Sequence, residues 1–185
     1  CPTITSDQIL GGTPFRFKND TRPHLVMVTA EREYDTNRTL PQFCLEQLGK
    51  DFRVSHVFAN AEERNDLPGI EVLKDADVLL LSVRRRVLPA AQMALVRDFI
   101  ESGKPVVGIR TASHPFSLNG EQPPAGYLAW ESFDHDILGG NYTGHHGAGV
   151  AVSVQVSAVG SGHPLLAGVD PARLQGFGSL YKAGP

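Results

Sequence analysis

The sequence is short of the features that most readily announce a function. Among its 185 residues there are only two cysteines, Cys1 and Cys44, so a disulfide framework is not expected. Cys44 shares a helical pattern with Phe43 and Leu48, which predicts a small core residue and not a reactive thiol. Neither sign of charge dominates: the net charge is -3. A nucleic-acid surface usually needs a basic domain, and none is present. No window approaches about 18 uninterrupted apolar residues, so no membrane span is expected. The chain also has no GxxxxGK[ST], no HExxH, no CxxC pair, and no GxGxxG opening a helix after its first apolar run. That run is followed by Glu31, Glu33 and Asp35, which would repel a phosphate, so a flavodoxin-type FMN site is not expected.

What is present reads as an ordinary globular chain, with 41% hydrophobic and 20% charged residues. A chain of this length can bury about 70% of its unfolded surface in a single domain. Residues 1 to 22 show no clear period and hold Gly11-Gly12, Pro14 and Asn19-Asp20. They are expected to form an arm or linker, and residues 23 to 185 the α/β domain. The chain starts at Cys1 instead of Met, as a fragment or processed product would. A removed signal peptide and a lipid-bearing Cys1 both fit such a start. The far end, "GSLYKAGP", has no closing strand or helix, so truncation is expected there too.

"HLVMVT" (24 to 29) is a short apolar run and predicts a buried strand. "AEREYDTNR" predicts a loop. Thr39 is expected to cap a helix with Leu40, Phe43, Cys44, Leu45 and Leu48 on one face, Pro41 in its first turn and Gly49 as its stop. "FRVSHVFA" (52 to 59) predicts a second strand. "ADVLLLSV" (76 to 83) is apolar almost throughout, as a central parallel strand covered on both faces would be. A long helix should follow, with Pro89 in its first turn and a stripe of Leu88, Ala91, Leu95, Val96, Phe99 and Ile100 that Gly103 ends. "PVVGI" (105 to 109) predicts a fourth, buried strand. About 35 residues rich in glycine, proline and aromatics come next, and a stretch of that kind is more often functional than idle. "GVAVSVQVSAV" (149 to 159) alternates and predicts a further strand toward a sheet edge. Strands alternating with helices imply a doubly wound, mostly parallel α/β sheet.

In such sheets ligands bind outside the carboxyl ends of the strands. Glu31, Arg32, Glu33, Tyr34, Asp35, Asn37 and Arg38 follow the first strand. Ser82, Arg84, Arg85 and Arg86 follow the third, and Arg110, Thr111, Ser113 and His114 the fourth. Parallel strands would bring these groups to one edge, against the alternative that they are solvated loop ends with ion pairs among them. A second cluster, "GGNYTGHHGAG" (139 to 149), holds adjacent His145 and His146, which could face one ion only in a bend. Upstream lie Trp130, Glu131, Asp134, His135 and Asp136. A divalent metal such as zinc could draw on His114, Asp134, His145 or His146, although one histidine acting as general acid or base needs no metal. His24, His56 and His163 read as structural. "NYT" at 141 to 143 fits an N-glycosylation acceptor, a pattern with many false matches.

Six blocks in order carry a resemblance: "TAEREYDTNRTLPQF", "DADVLLLSVRRRVLPAAQ", "GKPVVGIRTASHPF", "FDHDILGGNYTGHHG", "GHPLLAGV" and "GSLYK". Together they resemble the ThuA-like, or trehalose-utilisation, proteins, closest to a bacterial branch common in planctomycetes. The resemblance runs from about residue 24 to the last. It implies the flavodoxin-like sheet of the class I glutamine amidotransferases. In those relatives the turn after the fourth strand bears a nucleophilic cysteine. Here the corner reads "GIRTASH", so covalent glutaminase chemistry is not expected.

The resemblance implies carbohydrate chemistry, as a sugar isomerase, epimerase or hydrolase. An enzyme of that kind would use Glu31 or Glu33 and His114 or His145 as acid and base, with Arg110 and Arg84 polarising a carbonyl or holding an anionic group. Trp130 or Tyr142 would stack on a ring. Arg85, Thr111, Asp134, Asn141 and His146 complete the expected binding set. Two alternatives stay open: a non-catalytic carbohydrate-binding or interaction module, and a metal-dependent hydrolase. The expected partner is a small carbohydrate ligand. The sequence leaves open a homo-oligomer and the choice between bacterial cytoplasm and periplasm.

Overall fold

The computed structural model describes residues 20–184. The arm expected over residues 1 to 22 lies outside the described residues, apart from positions 20 to 22. The chain divides into two compact units, one ending at Glu131 and the other beginning at Ser132. No helix among the described residues is long and apolar enough to cross a membrane.

The first unit is built on a four-stranded parallel sheet. Strand β1 (His24–Ala30) pairs with β2 (Arg53–Phe58) on one side and β3 (Val78–Val83) on the other. A two-residue strand β4 (Leu88–Pro89) follows, and β5 (Val106–Gly108) then joins β3 to complete the order β2-β1-β3-β5. The mixed α/β, flavodoxin-like reading of the sequence is thus what the chain adopts. Burial explains the central pair: all seven residues of β1 are buried, and Leu79 to Val83 of β3 are buried as well. A strand covered on both faces has no solvent side on which polar residues could alternate.

Helix α1 (Thr36–Phe43) passes into a π turn at Cys44–Leu48, closed by the Gly49 N–H donating to the Cys44 carbonyl at 2.8 Å. Leu40, Cys44 and Leu48 recur every four residues and pack on Leu25, Met27 and Leu80 of the sheet. Three expectations are corrected here. The helix starts at Thr36, inside the expected loop, because the Glu31 carboxylate accepts the Thr36 N–H. Thr39 is no cap: its hydroxyl donates back to the Asp35 carbonyl one turn earlier. Pro41 therefore lies in the helix interior, and Phe43 and Leu45 (86% exposed) turn away from the buried stripe.

Helix α2 (Ala90–Glu101) buries Met93, Val96 and Phe99, with Leu95 and Ile100 half-buried. The expected stripe is rotated: Ala91 is exposed, and Met93 takes the core position. Strand β6 (Tyr127–Leu128) pairs antiparallel with β4. The expectation that the fourth sheet strand is buried also fails. Among the described residues β5 pairs only with β3, and Val107 is 45% exposed, so β5 is an edge there.

In the second unit a π turn at Asp134–Leu138 leads into β7 (Asn141–His145). Strand β8 (Val152–Ser153) pairs with β9 (Gln175–Gly176), and β7 pairs with β10 (Tyr181–Gly184), both antiparallel. The long strand expected over 149 to 159 is not formed. Only Val152 and Ser153 enter a ladder, and Val150, Val154, Val156 and Val159 are exposed.

Candidate functional site

Parallel strands deliver their following loops to one end of the sheet, so the segments after β1, β2, β3 and β5 meet at the carboxyl rim. Several contacts tie them together. The Ser82 hydroxyl at the end of β3 donates to the Thr36 hydroxyl at 3.0 Å, which donates in turn to Glu31. The Arg84 guanidinium lies 3.0 Å from the Glu33 carboxylate. Backbone N–H groups of Arg85 and Arg86 donate to the carbonyls of His114 and Pro115, at 3.1 and 2.8 Å. The Arg110 guanidinium sits 4.2 Å from the centre of the Tyr34 ring, a cation–π distance.

These contacts give the acids different jobs. Glu31 is buried, and its carboxylate accepts from the N–H groups of Glu33, Tyr34 and Thr36 and from the Thr36 hydroxyl. Burial alone would push its pKa up, but the donors outweigh burial and hold the carboxyl below its ordinary range. Such a carboxylate stays ionised and anchors the loop. The Glu33 side chain is accessible and pairs with Arg84, so the geometry favours Glu33 over Glu31 for proton transfer.

The turn after β5 is strained. Ile109 is extended, and Arg110 adopts a left-handed conformation, φ 41°, before the short 3-10 turn Arg110–Ser113. A non-glycine residue there costs on the order of 1–3 kcal/mol and persists only where the surroundings impose it. The run Gly108-Ile109-Arg110-Thr111-Ala112 places small residues two positions either side of Arg110. That is the pattern of a nucleophile elbow, in which a strained strand-to-helix turn lifts one side chain clear of the sheet. Arg85, after β3, is left-handed as well, φ 48°. His114 is 9% exposed, and the Ser113 hydroxyl lies 3.0 Å from its Nδ1, which sets the ring's orientation. Thr111 is buried within the turn.

A cavity of about 220 Å³ opens on this rim, lined by Glu31, Arg32, Glu33, Arg64, Arg84 and Arg86. Arg64 is the residue that sequence reasoning missed. It lies in the loop after β2, the one strand whose following polar residues were not considered as part of the rim. Its position beyond a parallel strand's carboxyl end was the available signal.

The remaining expected residues are otherwise engaged. The Arg97 guanidinium covers one face of Trp130, 4.2 Å from the ring centroid. Asp134, Asn141, Tyr142, His145 and His146 belong to the second unit. There the Asp134 carboxylate accepts from the N–H groups of His135 and Tyr142, at 3.0 and 2.9 Å. The Tyr142 ring meets Tyr181 edge-on at 4.8 Å, and its hydroxyl lies 2.9 Å from His145 Nδ1. Asn141 faces Gly184 in the β7–β10 ladder, and the His146 N–H donates to Leu180 at 2.8 Å. Among the described residues no three of His, Cys, Asp and Glu gather into a metal-holding group, so the residues present do not fit the zinc expectation. Cys44 packs on Met27 with its thiol 3.1 Å from the sulfur, and burial pushes its pKa up, the opposite of an activated nucleophile.

No family model and no curated protein matches the chain. A solved structure does: a protein provisionally called thua-like, from Bacteroides uniformis ATCC 8492, matches with a TM-score of 0.58 over 94% of this chain. The chain has the ThuA-like fold. Sequence identity is 18%, which carries the fold and no residue's role, and this chain spans 66% of the length of that structure. The likeness supports the resemblance carried by the six sequence blocks. Within the ThuA-like fold, Arg110 lies on the turn after β5, the turn on which the resemblance implies the amidotransferase cysteine.

Proposed function

We propose that the protein serves carbohydrate utilisation as an enzyme acting on a sugar or keto-sugar derivative by acid/base chemistry, without a cysteine nucleophile. The observation that carries this reading is Arg110 held at φ 41° on the elbow after β5. Evolution of a strained turn without a nucleophile makes sense where the presented side chain polarises a carbonyl or enediolate oxygen. Arg110 does that by charge and by its planar fork of donors. His114, oriented by Ser113, transfers a proton at the carbon or oxygen next to that carbonyl. Glu33, drawn toward Arg84, accepts or returns the second proton. Isomerisation and epimerisation of a keto-sugar both need only this set.

The alternative of a non-catalytic sugar-binding module would rest on Trp130 and Tyr142 as stacking platforms. One face of the indole already carries Arg97, and the Tyr142 ring is engaged with Tyr181, so the observations favour the enzyme. Incubation with 3-keto-disaccharides, followed by NMR, tests it: new sugar signals that need intact protein are expected. Binding without any change in the sugar would leave only the module.

A further inference from the structure

The cavity beside the proposed catalytic groups has an unusual lining. Four arginines, Arg32, Arg64, Arg84 and Arg86, face it with two carboxylates, Glu31 and Glu33. Glu31 spends its oxygens on backbone N–H groups and on Thr36, and Glu33 is engaged by Arg84. Three of the arginines donate to main-chain carbonyls. Arg64 donates to Arg85 O at 2.8 Å, Arg32 to Ala61 O at 3.2 Å, and Arg86 to Arg84 O at 2.6 Å. Arg86 is only 5% exposed, and its Nε has no hydrogen-bond partner among the described residues. Burial, with the charges of Arg64, Arg32 and Arg84, pushes its pKa down to about 10, so it remains a cation at neutral pH.

Keeping like charges this close around a buried guanidinium is costly unless an anion completes the set. Three separate loops, after β1, β2 and β3, contribute to the arrangement. A space of about 220 Å³ fits an oxyanion head group with part of a sugar ring, and is too small for a whole disaccharide.

We infer that this cavity binds the oxyanion of an anionic sugar derivative, a carboxylate or a phosphate, and so fixes the substrate class of the neighbouring site. The inference rests on the proposed function for the word substrate, and on the arginines alone for the anion. Glu33 then has two roles. It pairs with Arg84 in the empty site and yields that guanidinium when the anion arrives.

Calorimetric titration at constant ionic strength tests this with four probes: inorganic phosphate, D-gluconate, glucose 6-phosphate and neutral glucose. The anions should bind at millimolar concentration or better, and glucose should not. Arg64→Gln, at an exposed position and with folding checked by circular dichroism, should weaken the anions by about 10-fold or more. Glu33→Gln should tighten them by removing the competing carboxylate. Arg86→Lys, checked by circular dichroism, should weaken them if it folds; Arg64→Gln decides the matter if it does not. Binding of gluconate or glucose 6-phosphate without inorganic phosphate would place the anion on the sugar. Binding of inorganic phosphate with the same affinity as the sugar phosphate would name free phosphate as the source. Either result supports the site. No anion binding, or equal affinity in wild type and Arg64→Gln, overturns the inference. Turnover of a neutral keto-sugar without anion binding would sink this inference and leave the proposed function intact. Arg64-dependent anion binding in a protein that turns over no keto-sugar would do the reverse.

Discussion

At the amino end of the sheet lies a cavity of about 660 Å³, lined by Cys44, Phe52, Val54 and Val72 together with His24, Ser55 and His56. At the carboxyl end the cavity is about 220 Å³ and is lined almost wholly by charge. Volume alone would choose the first, and Arg53 Nε and His56 Nδ1 on its wall are buried without a hydrogen-bond partner among the described residues, but its other imidazole holds the fold. His24 places Nδ1 3.1 Å from the Asp75 carbonyl and Nε2 2.8 Å from the Ser55 hydroxyl, and His56 stacks on Phe58. Burial pushes both imidazoles toward the neutral form. The smaller cavity has the opposite character: its cations are pressed together, and the left-handed Arg85 stands in the chain between two of its lining residues, Arg84 and Arg86. Strain and unbalanced charge mark a working site better than size does, because a fold keeps them only where something else depends on them.

The sharpest way to break this comparison is to remove an imidazole from each end. His114→Ala should lower turnover of a keto-sugar by about 10²- to 10⁴-fold, the usual worth of a general acid or base. His56→Ala at the amino end should leave turnover within a few-fold of wild type. Equal losses from both variants, with folding verified by circular dichroism, would mean that the rim is not where protons move.

A smaller effect is expected at Glu31, which the geometry makes an anchor. Glu31→Gln presents an amide to backbone N–H donors and should cost about 1–3 kcal/mol of stability, read from urea unfolding. The folded-state pKa of Glu31 is depressed, so its contribution is fully present above the ordinary carboxylate range and is lost as pH falls through its folded value. Wild type should therefore lose stability on acidification in that low range, and Glu31→Gln should lose less. A variant as stable as wild type would return Glu31 to the list of catalytic acids.

The two ends were not equally legible from the sequence. β1 and β3 could be read because both faces of each are covered, which leaves an apolar run with no ambiguity of phase. The pairing of Glu33 with Arg84, and the placing of Arg110 on Tyr34, are what parallel strands lead one to expect of loops that leave the same end of the sheet. The helix phases were harder, since Ala91 and Met93 differ in which side they face but not in being apolar. Thr36 as the helix start was hidden because its support is not a neighbouring cap residue but the carboxylate of Glu31, five positions back in the same loop. The stretch from 149 to 159 has the period of a strand but finds only a two-residue partner in Gln175–Gly176. Period states which faces alternate, and not whether a neighbour exists. No local pattern shows that Arg110 is left-handed, because that is imposed by the turn and not by arginine's own preference.

Strain at Arg110 gives a finer test. Glycine tolerates positive φ, so Arg110→Gly should be more stable than Arg110→Ala by about 1 kcal/mol, while both lose sugar turnover. Comparing two variants that each lack the guanidinium removes the Tyr34 contact from the difference. Equal stabilities would show that the elbow relaxes once arginine is gone and stores nothing.

The smallest expected effect belongs to the amino end and sets its pH window apart from that of the rim. His24 and His56 are both held below the ordinary histidine pKa of about 6.5 by burial. The unfolded chain takes up their protons first as pH falls. Their share of stability is therefore intact above about pH 6.5 and is lost on acidification below it, well above the window of Glu31. His24→Asn and His56→Gln should each flatten the decline in unfolding midpoint between about pH 7 and pH 5, and leave untouched the later loss that Glu31 governs. A decline over that range that is equally steep in wild type and in the double variant would show that neither imidazole is buried neutral. The amino-end cavity would then have to be reconsidered as a second charged site.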